Sequence, residues 1–143
     1  MDLANKEGAT VLTGGTVEKY SGRCTKGWYF RPTVLEGLSY SSKLNKEENF
    51  GPIVTIQSFI SEPESLGMAN DTDYGLSATI WTEDIDKGKR ISGGIDSGVI
   101  WINAWLLRDL RTPFGGMNNS GLGLEGDDAL ESFTEQKNIC IPK

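Results

Sequence analysis

The stretch Leu76-Ser77-Ala78-Thr79-Ile80-Trp81-Thr82-Glu83-Asp84-Ile85-Asp86-Lys87-Gly88-Lys89-Arg90-Ile91-Ser92-Gly93-Gly94-Ile95-Asp96-Ser97-Gly98-Val99-Ile100-Trp101-Ile102-Asn103 decides the fold class. Leu76 to Trp81 is β-prone. From Asp84 to Ile95 the apolar or small residues Ile85, Gly88, Ile91 or Ser92, and Ile95 recur at helical intervals, which predicts an amphipathic helix weakened near its end by Gly93-Gly94. Gly98 closes that segment, and Val99 to Asn103 is a second strand. A strand, a helix and a strand in this order make a βαβ crossover, which joins parallel neighbours.

The same alternation extends towards the N-terminus. Ile53 to Ile60 has the β-branched density of a buried strand, and Glu62 to Asn70 reads as a helix. Ser61 is placed to cap it, with Pro63 and Glu64 in the first turn, where a missing N–H and a negative charge are both tolerated. Asp73-Tyr74-Gly75 then turns the chain into Leu76. Further upstream, Ala9 to Leu12 and Thr33 to Leu35 are short strands, separated by a polar loop over Glu18 to Gly27. Downstream, a glycine-rich loop over Thr112 to Gly126 leads to a helix from Asp127 to Phe133 and a last strand, Lys137 to Ile141. The prediction is an α/β fold with a largely parallel sheet and crossover helices, in one domain over residues 1–143.

The charge of −6 over 143 residues gives nucleic acid or an anionic membrane no electrostatic reason to bind. The longest apolar runs, Val99 to Ile102 and Ala104 to Leu107, are too short to span a bilayer, so the expected setting is soluble and cytoplasmic. Cys24 and Cys140 fit neither a disulfide framework nor a zinc spacing and read as free thiols, Cys24 at the surface and Cys140 in the core or an interface. The chain has no histidine. A Ser-His-Asp triad, a Cys-His dyad and the common histidine-bearing metal sites are therefore excluded, and no metal ligand set is expected.

Three segments carry possible chemistry. Gly121-Leu122-Gly123-Leu124-Glu125-Gly126 satisfies G-x-G-x-x-G, but a dinucleotide fingerprint follows a buried strand directly and is followed by a second strand. Here a polar loop precedes it, so it reads as a compact turn feeding a helix. In Glu48-Asn49-Phe50-Gly51-Pro52 a carboxylate and an aromatic ring stand two residues apart and project from one side of an extended backbone. They can hold a ribose and pack on a flat heterocycle, or they can be an ordinary turn with one solvated acid and one core phenylalanine. Trp101 to Phe114 leaves the end of a parallel strand, where ligands bind in such sheets. Its arginines suit a substrate carboxylate beside apolar walls; equally, Arg108 or Arg111 can pair with Asp109 or with solvent.

Lys46-Glu47-Glu48-Asn49-Phe50-Gly51-Pro52 followed by Thr112-Pro113-Phe114-Gly115-Gly116-Met117-Asn118-Asn119-Ser120-Gly121-Leu122-Gly123 resembles the C-terminal part of an NAD(P)-dependent aldehyde dehydrogenase catalytic domain, over about Gly8 to Ile141. Asn103 to Gly116 resembles the branch acting on 2-aminomuconic and 2-hydroxymuconic semialdehydes. The resemblance implies that Glu48 and Phe50 contact the nicotinamide ribose and ring of NAD. It implies that Arg108 binds a substrate carboxylate, with Phe114 and Trp105 as walls, and that residues 137–141 form an oligomerisation strand in a homo-oligomer. The parent reaction would be thiol attack on an aldehyde, hydride transfer to NAD and hydrolysis of the thioester. The family's cofactor domain, nucleophilic cysteine and general-base glutamate have no counterpart in these residues. The chain is thus expected to hold no catalytic residue and to be inactive alone; the alternatives are a non-catalytic oligomerisation or binding module and a repurposed hydrolase (esterase) acting through Cys24 or a serine. Asn49, Ala104 and Leu124 stand where the family usually has an aliphatic residue, a cysteine and an arginine.

Overall fold

The computed structural model describes residues 1–127 and 129–142; Asp128 and Lys143, which belong to the expected last helix and the C-terminus, lie outside them. The chain forms two compact units, residues 1–72 and 73–143.

In the first unit a short helix, α1 (Asp2–Lys6), precedes β1 (Thr10–Thr13). A two-stranded hairpin follows, β2 (Val17–Glu18) with β3 (Tyr29–Phe30), and then β4 (Thr33–Glu36), α2 (Lys43–Lys46), β5 (Ile53–Thr55) and α3 (Glu62–Asn70). β4 is the central strand, antiparallel to β1 and parallel to β5. Leu35 on β4 is fully buried and clusters with Ala4 and Leu38, while Met1, Ala9, Leu44 and Ile53 pack around them. Thr33, also buried on β4, satisfies its hydroxyl by accepting from Gly15 N at 2.8 Å and donating to Arg31 O at 2.7 Å. Ser61 caps α3 as expected: its Oγ accepts from Glu64 N at 3.3 Å, and Glu64 reaches back to Ile60 N at 2.7 Å.

The expected strand over Ile53 to Ile60 is cut to three residues. Ile56 N still donates to Leu35 O at 2.8 Å, but β4 ends at Glu36, so no ladder continues, and Phe59 and Ile60 are exposed. A strand is only as long as its partner.

In the second unit β6 (Tyr74–Gly75), β7 (Ser77–Ile80), α4 (Ile85–Ser92), β8 (Val99–Ile102), β9 (Met117–Asn118) and α5 (Ala129–Ser132) follow in order. β7 and β8 are parallel, joined through α4 as the sequence predicts. Asp84 caps α4 by accepting from Lys87 N at 2.9 Å, and the helix stops at Gly93 rather than Ile95. β6 pairs antiparallel with β9, where the sequence suggested only a turn. At Gly98 a side chain is impossible, because a Cβ there would lie 1.8 Å from Gly115 O; one on Gly75 would lie 2.3 Å from Asp96 O.

One expectation is corrected. The sheets are small and mixed rather than one largely parallel sheet: only β4 with β5 and β7 with β8 run parallel, and the remaining pairs among the described residues are antiparallel. The connections through α2 and α4 each give a parallel pair, but α3 leads from β5 to β6, which do not pair, and every other neighbour comes from a hairpin or a distant segment. Among the described residues the segment 137–141 pairs with no strand, and Ile139 and Ile141 are 75% and 84% exposed.

Truncating the buried side chain at the centre of the first unit is expected to leave a cavity. Leu35→Ala should cost about 2–5 kcal/mol, whereas Leu12→Ala, on a half-exposed side chain, should cost well under half as much. Urea unfolding of both variants tests this, and equal losses would contradict the core assignment.

Candidate functional site

The segment carrying Glu48 and Phe50 links α2 to β5, and its shape comes from the residue between them. Asn49 Nδ2 donates to Leu44 O at 3.0 Å, one of the carbonyls that a helix end leaves without an intrahelical partner, and more weakly to Glu47 O at 3.4 Å. Gly51 N donates to Asn49 O and Ile53 N to Gly51 O, both at 2.8 Å, while Pro52 O accepts from Thr33 N at 2.8 Å. The amide is thereby tied back to the end of α2. Glu48 is exposed and the Phe50 ring is 95% exposed, so the alternative of a core phenylalanine is set aside.

Just before this loop, Lys46 Nζ lies 2.6 Å from Asp71 Oδ2 at the end of α3 and 5.3 Å from the centre of the Tyr40 ring. Tyr40 donates its hydroxyl to Gly67 O at 3.1 Å. Lys46 and then Tyr40, by hydrogen bonding, hold the Asp71 carboxyl below its ordinary value, while partial burial and the nearby Asp71 push the Tyr40 phenol up. These contacts tie the start of the loop to α3. A hollow of about 620 Å³ between the end of β4, the segment just after β5 and α3 is lined by Tyr40, Gln57, Glu64 and Met68 among others, not by Glu48 or Phe50.

In the second unit the loop leaving β8 is held at its root. Asn103, at φ 51°, uses its side chain as one more rung: Oδ1 accepts from Thr82 N at 2.8 Å and Nδ2 donates to Thr82 O at 2.7 Å. The buried Trp101 donates Nε1–H to Leu107 O at 2.7 Å, which folds the loop back over β8. Arg108 follows directly. Its guanidinium lies 4.3 Å from the centre of the half-buried Phe114 ring and is paired through Nη2 with Glu125 Oε2. Phe114 and Glu125 are themselves joined by two backbone bonds, Phe114 N to Glu125 O at 3.0 Å and Glu125 N to Phe114 O at 2.7 Å.

The two arginines therefore separate. Arg111 is taken by Asp109, with Nε 2.9 Å from Oδ1 and Nη2 2.5 Å from Oδ2. Arg108 and Phe114 lie together, whereas Trp105 is 71% exposed and presents an open face rather than a packed wall. Glu125 is the site residue that sequence reasoning missed; its partner is 17 positions away, and the only local signal was its place inside a glycine-rich turn. Gly121, Gly123 and Gly126 all have positive φ, as a tight glycine turn requires. Beside that turn a hollow of about 380 Å³ is lined by Phe114, Leu124, Glu125 and Phe133 among others.

Cys24 is half-buried, and its side chain is the main cause raising the Tyr29 phenol, followed by partial burial and Tyr20. Cys140 is exposed rather than core. Among the described residues no group of three or more His, Cys, Asp or Glu could hold a metal ion, and no helix is long and apolar enough to cross a membrane.

A sequence profile described as "Aldehyde dehydrogenase family" matches residues 1–139. The chain is 46% identical to the 2-hydroxymuconic semialdehyde dehydrogenase of Pseudomonas putida over 136 residues, covering 94% of this chain and 28% of that protein. It is 45% identical to the 2-aminomuconic 6-semialdehyde dehydrogenase of a Pseudomonas species over 141 residues, 98% of this chain and 29% of that protein. Among solved structures, betaine aldehyde dehydrogenase from Staphylococcus aureus in complex with NAD+ superposes with a TM-score of 0.82 at 38% identity, covering 93% of this chain and 26% of that one. The chain thus spans under a third of the length of the relatives it matches.

Asp109 is expected to titrate below the ordinary aspartate value of 3.8, because Arg111 donates to it from side chain and backbone. Since the folded value is the lower one, the stabilisation is fully present above the ordinary value and is lost as pH falls through the folded one. Carboxyl-carbon NMR titration should show the Asp109 value rising towards ordinary in Arg111→Ala. An unchanged value would show that Arg111 is not the cause.

Proposed function

The chain belongs to the aldehyde dehydrogenase family, and we propose that it carries part of the site for NAD-dependent oxidation of a semialdehyde bearing a carboxylate, of the muconic type, to the corresponding acid. The observation that carries this reading is Arg108 held 4.3 Å over the Phe114 ring, in the loop that leaves the carboxyl end of β8. A guanidinium offers five N–H donors in a plane and matches a carboxylate edge to edge, and an aromatic face beside it suits a conjugated chain. The names of the two Pseudomonas relatives support the same substrate class.

For the cofactor, the exposed Glu48 carboxylate and the 95% exposed Phe50 ring fit a ribose hydroxyl pair and a flat ring. When bound, NAD supplies the hydride acceptor. This chain's own residues bind and orient: Glu48 accepts hydrogen bonds, Phe50 offers a stacking face, and Arg108 fixes the substrate's acid end. None of them is assigned bond-making chemistry. The proposed setting is cytoplasmic, with two free thiols, Cys24 and Cys140, as support. The exposed Ile139 and Ile141 on an unpaired segment support association into a homo-oligomer through residues 137–141.

Three measurements test this reading. The 143-residue chain assayed by itself with NAD and aldehydes is expected to give no turnover, and rates on the order of 1 per second would refute that. Light scattering after size exclusion is expected to report a multimer; a monomer at high micromolar concentration would remove the association. Titration with muconate, followed by NMR, is expected to show weak binding that Arg108→Ala lowers by a factor of about 10 or more, since a charge-assisted hydrogen bond contributes about 1.5–3 kcal/mol. Equal binding by both proteins would eliminate the carboxylate role.

A further inference from the structure

We infer that Glu125 is an internal carboxylate that occupies the Arg108 guanidinium until a ligand carboxylate displaces it, so that Glu125 sets which acids the site accepts. The inference rests on the carboxylate role proposed for Arg108 and adds a competitor to it.

The geometry carries the argument. Stacking on Phe114 uses one face of the guanidinium, and Glu125 takes its Nη2 edge. An incoming carboxylate that pairs side-on through Nη2 meets Glu125 there, because the N–H groups lie in the plane of the group and Nη2 belongs to that fork. The two negative groups cannot share it without repulsion. The main chain at Glu125 is fixed by its two hydrogen bonds to Phe114, so the exchange requires only the Glu125 side chain to swing. That side chain is 67% exposed and Arg108 is 41% exposed, so a displaced Glu125 is received by water and the pair has only a modest hold.

The consequence is selectivity. A small acid gains only the arginine contact and must displace Glu125 to get it. A flat conjugated acid gains the same contact and also packs on the part of Phe114 that borders the adjoining hollow, clear of the face taken by Arg108. The internal carboxylate therefore raises the threshold for binding, and acids with an extended apolar body clear it more easily.

The test uses the natural chain, Glu125→Gln, Glu125→Ala and each of these combined with Arg108→Ala, titrated with muconate. The dissociation constant is expected to fall about 2- to 5-fold in both Glu125 variants, and the gain should vanish when Arg108 is also removed. A merely structural role for Glu125 would not tighten binding. In the natural chain, the side-chain NMR signals of Arg108 and Glu125 should shift along one saturation curve, a measurement that needs no variant to fold. Unchanged or weaker binding in the Glu125 variants, with Arg108-dependent binding in the natural chain, would overturn the competitor and leave the carboxylate role standing. Glu125 signals that stay fixed while those of Arg108 move would do the same. No binding by any of the proteins would overturn both.

Discussion

At Gly75, Gly98 and Gly115 the backbone of the second unit has no room for side chains, and the presentation of Arg108 depends on that closeness. A Cβ on Gly98 would lie inside the carbonyl of Gly115, so the start of β8 and the segment just after Phe114 are held together at main-chain distance. Gly98 N also donates to Gly75 O at 3.0 Å, which brings in the strand before β7. The loop from Asn103 to Phe114 thus has both ends anchored: one by the Asn103 amide at Thr82, the other by the packing at Gly115. A loop pinned at both ends can present an exposed cation in one place without burying it.

Charge pairing then divides the work of that loop. Asp109 and Arg111 satisfy each other two residues apart, which neutralises one cation locally and shapes the turn through Arg111 N and Thr112 Oγ1, both donating to Asp109. Arg108 pairs across a much longer stretch of sequence and sits on an aromatic face. Two similar side chains three positions apart thereby acquire different availability. The difference comes from what lies beneath each one, not from the residue type.

The sequence makes legible what is locally determined. The helices α3 and α4 begin where Ser61 and Asp84 stand because a cap is a contact over three residues, and β7 and β8 fall where β-branched and aromatic residues gather. The stop of α4 at Gly93 follows from a residue that costs helix about 1 kcal/mol. What escapes is set by distant partners. The end of β5 is determined by where β4 stops, β6 exists only because β9 returns to it, and Glu125 acquires its role from an arginine in another loop. The helices α1 and α2 are too short for a period to register. The end of a parallel strand marks the loop carrying Arg108 and Phe114 as a candidate, and only the family resemblance singled out these two residues within it; their state of pairing was not legible.

Asn49 has a thermodynamic consequence. By donating to Leu44 O it orders the turn that carries Glu48 and Phe50 with a bond internal to the protein. Ordering a backbone residue costs about 1–2 kcal/mol, and for this turn that cost falls on folding rather than on association. The backbone of the turn is therefore preorganised, while the Phe50 ring, 95% exposed, keeps its own side-chain freedom, so a contact there would draw on released water against the arrest of one ring rather than of the whole turn.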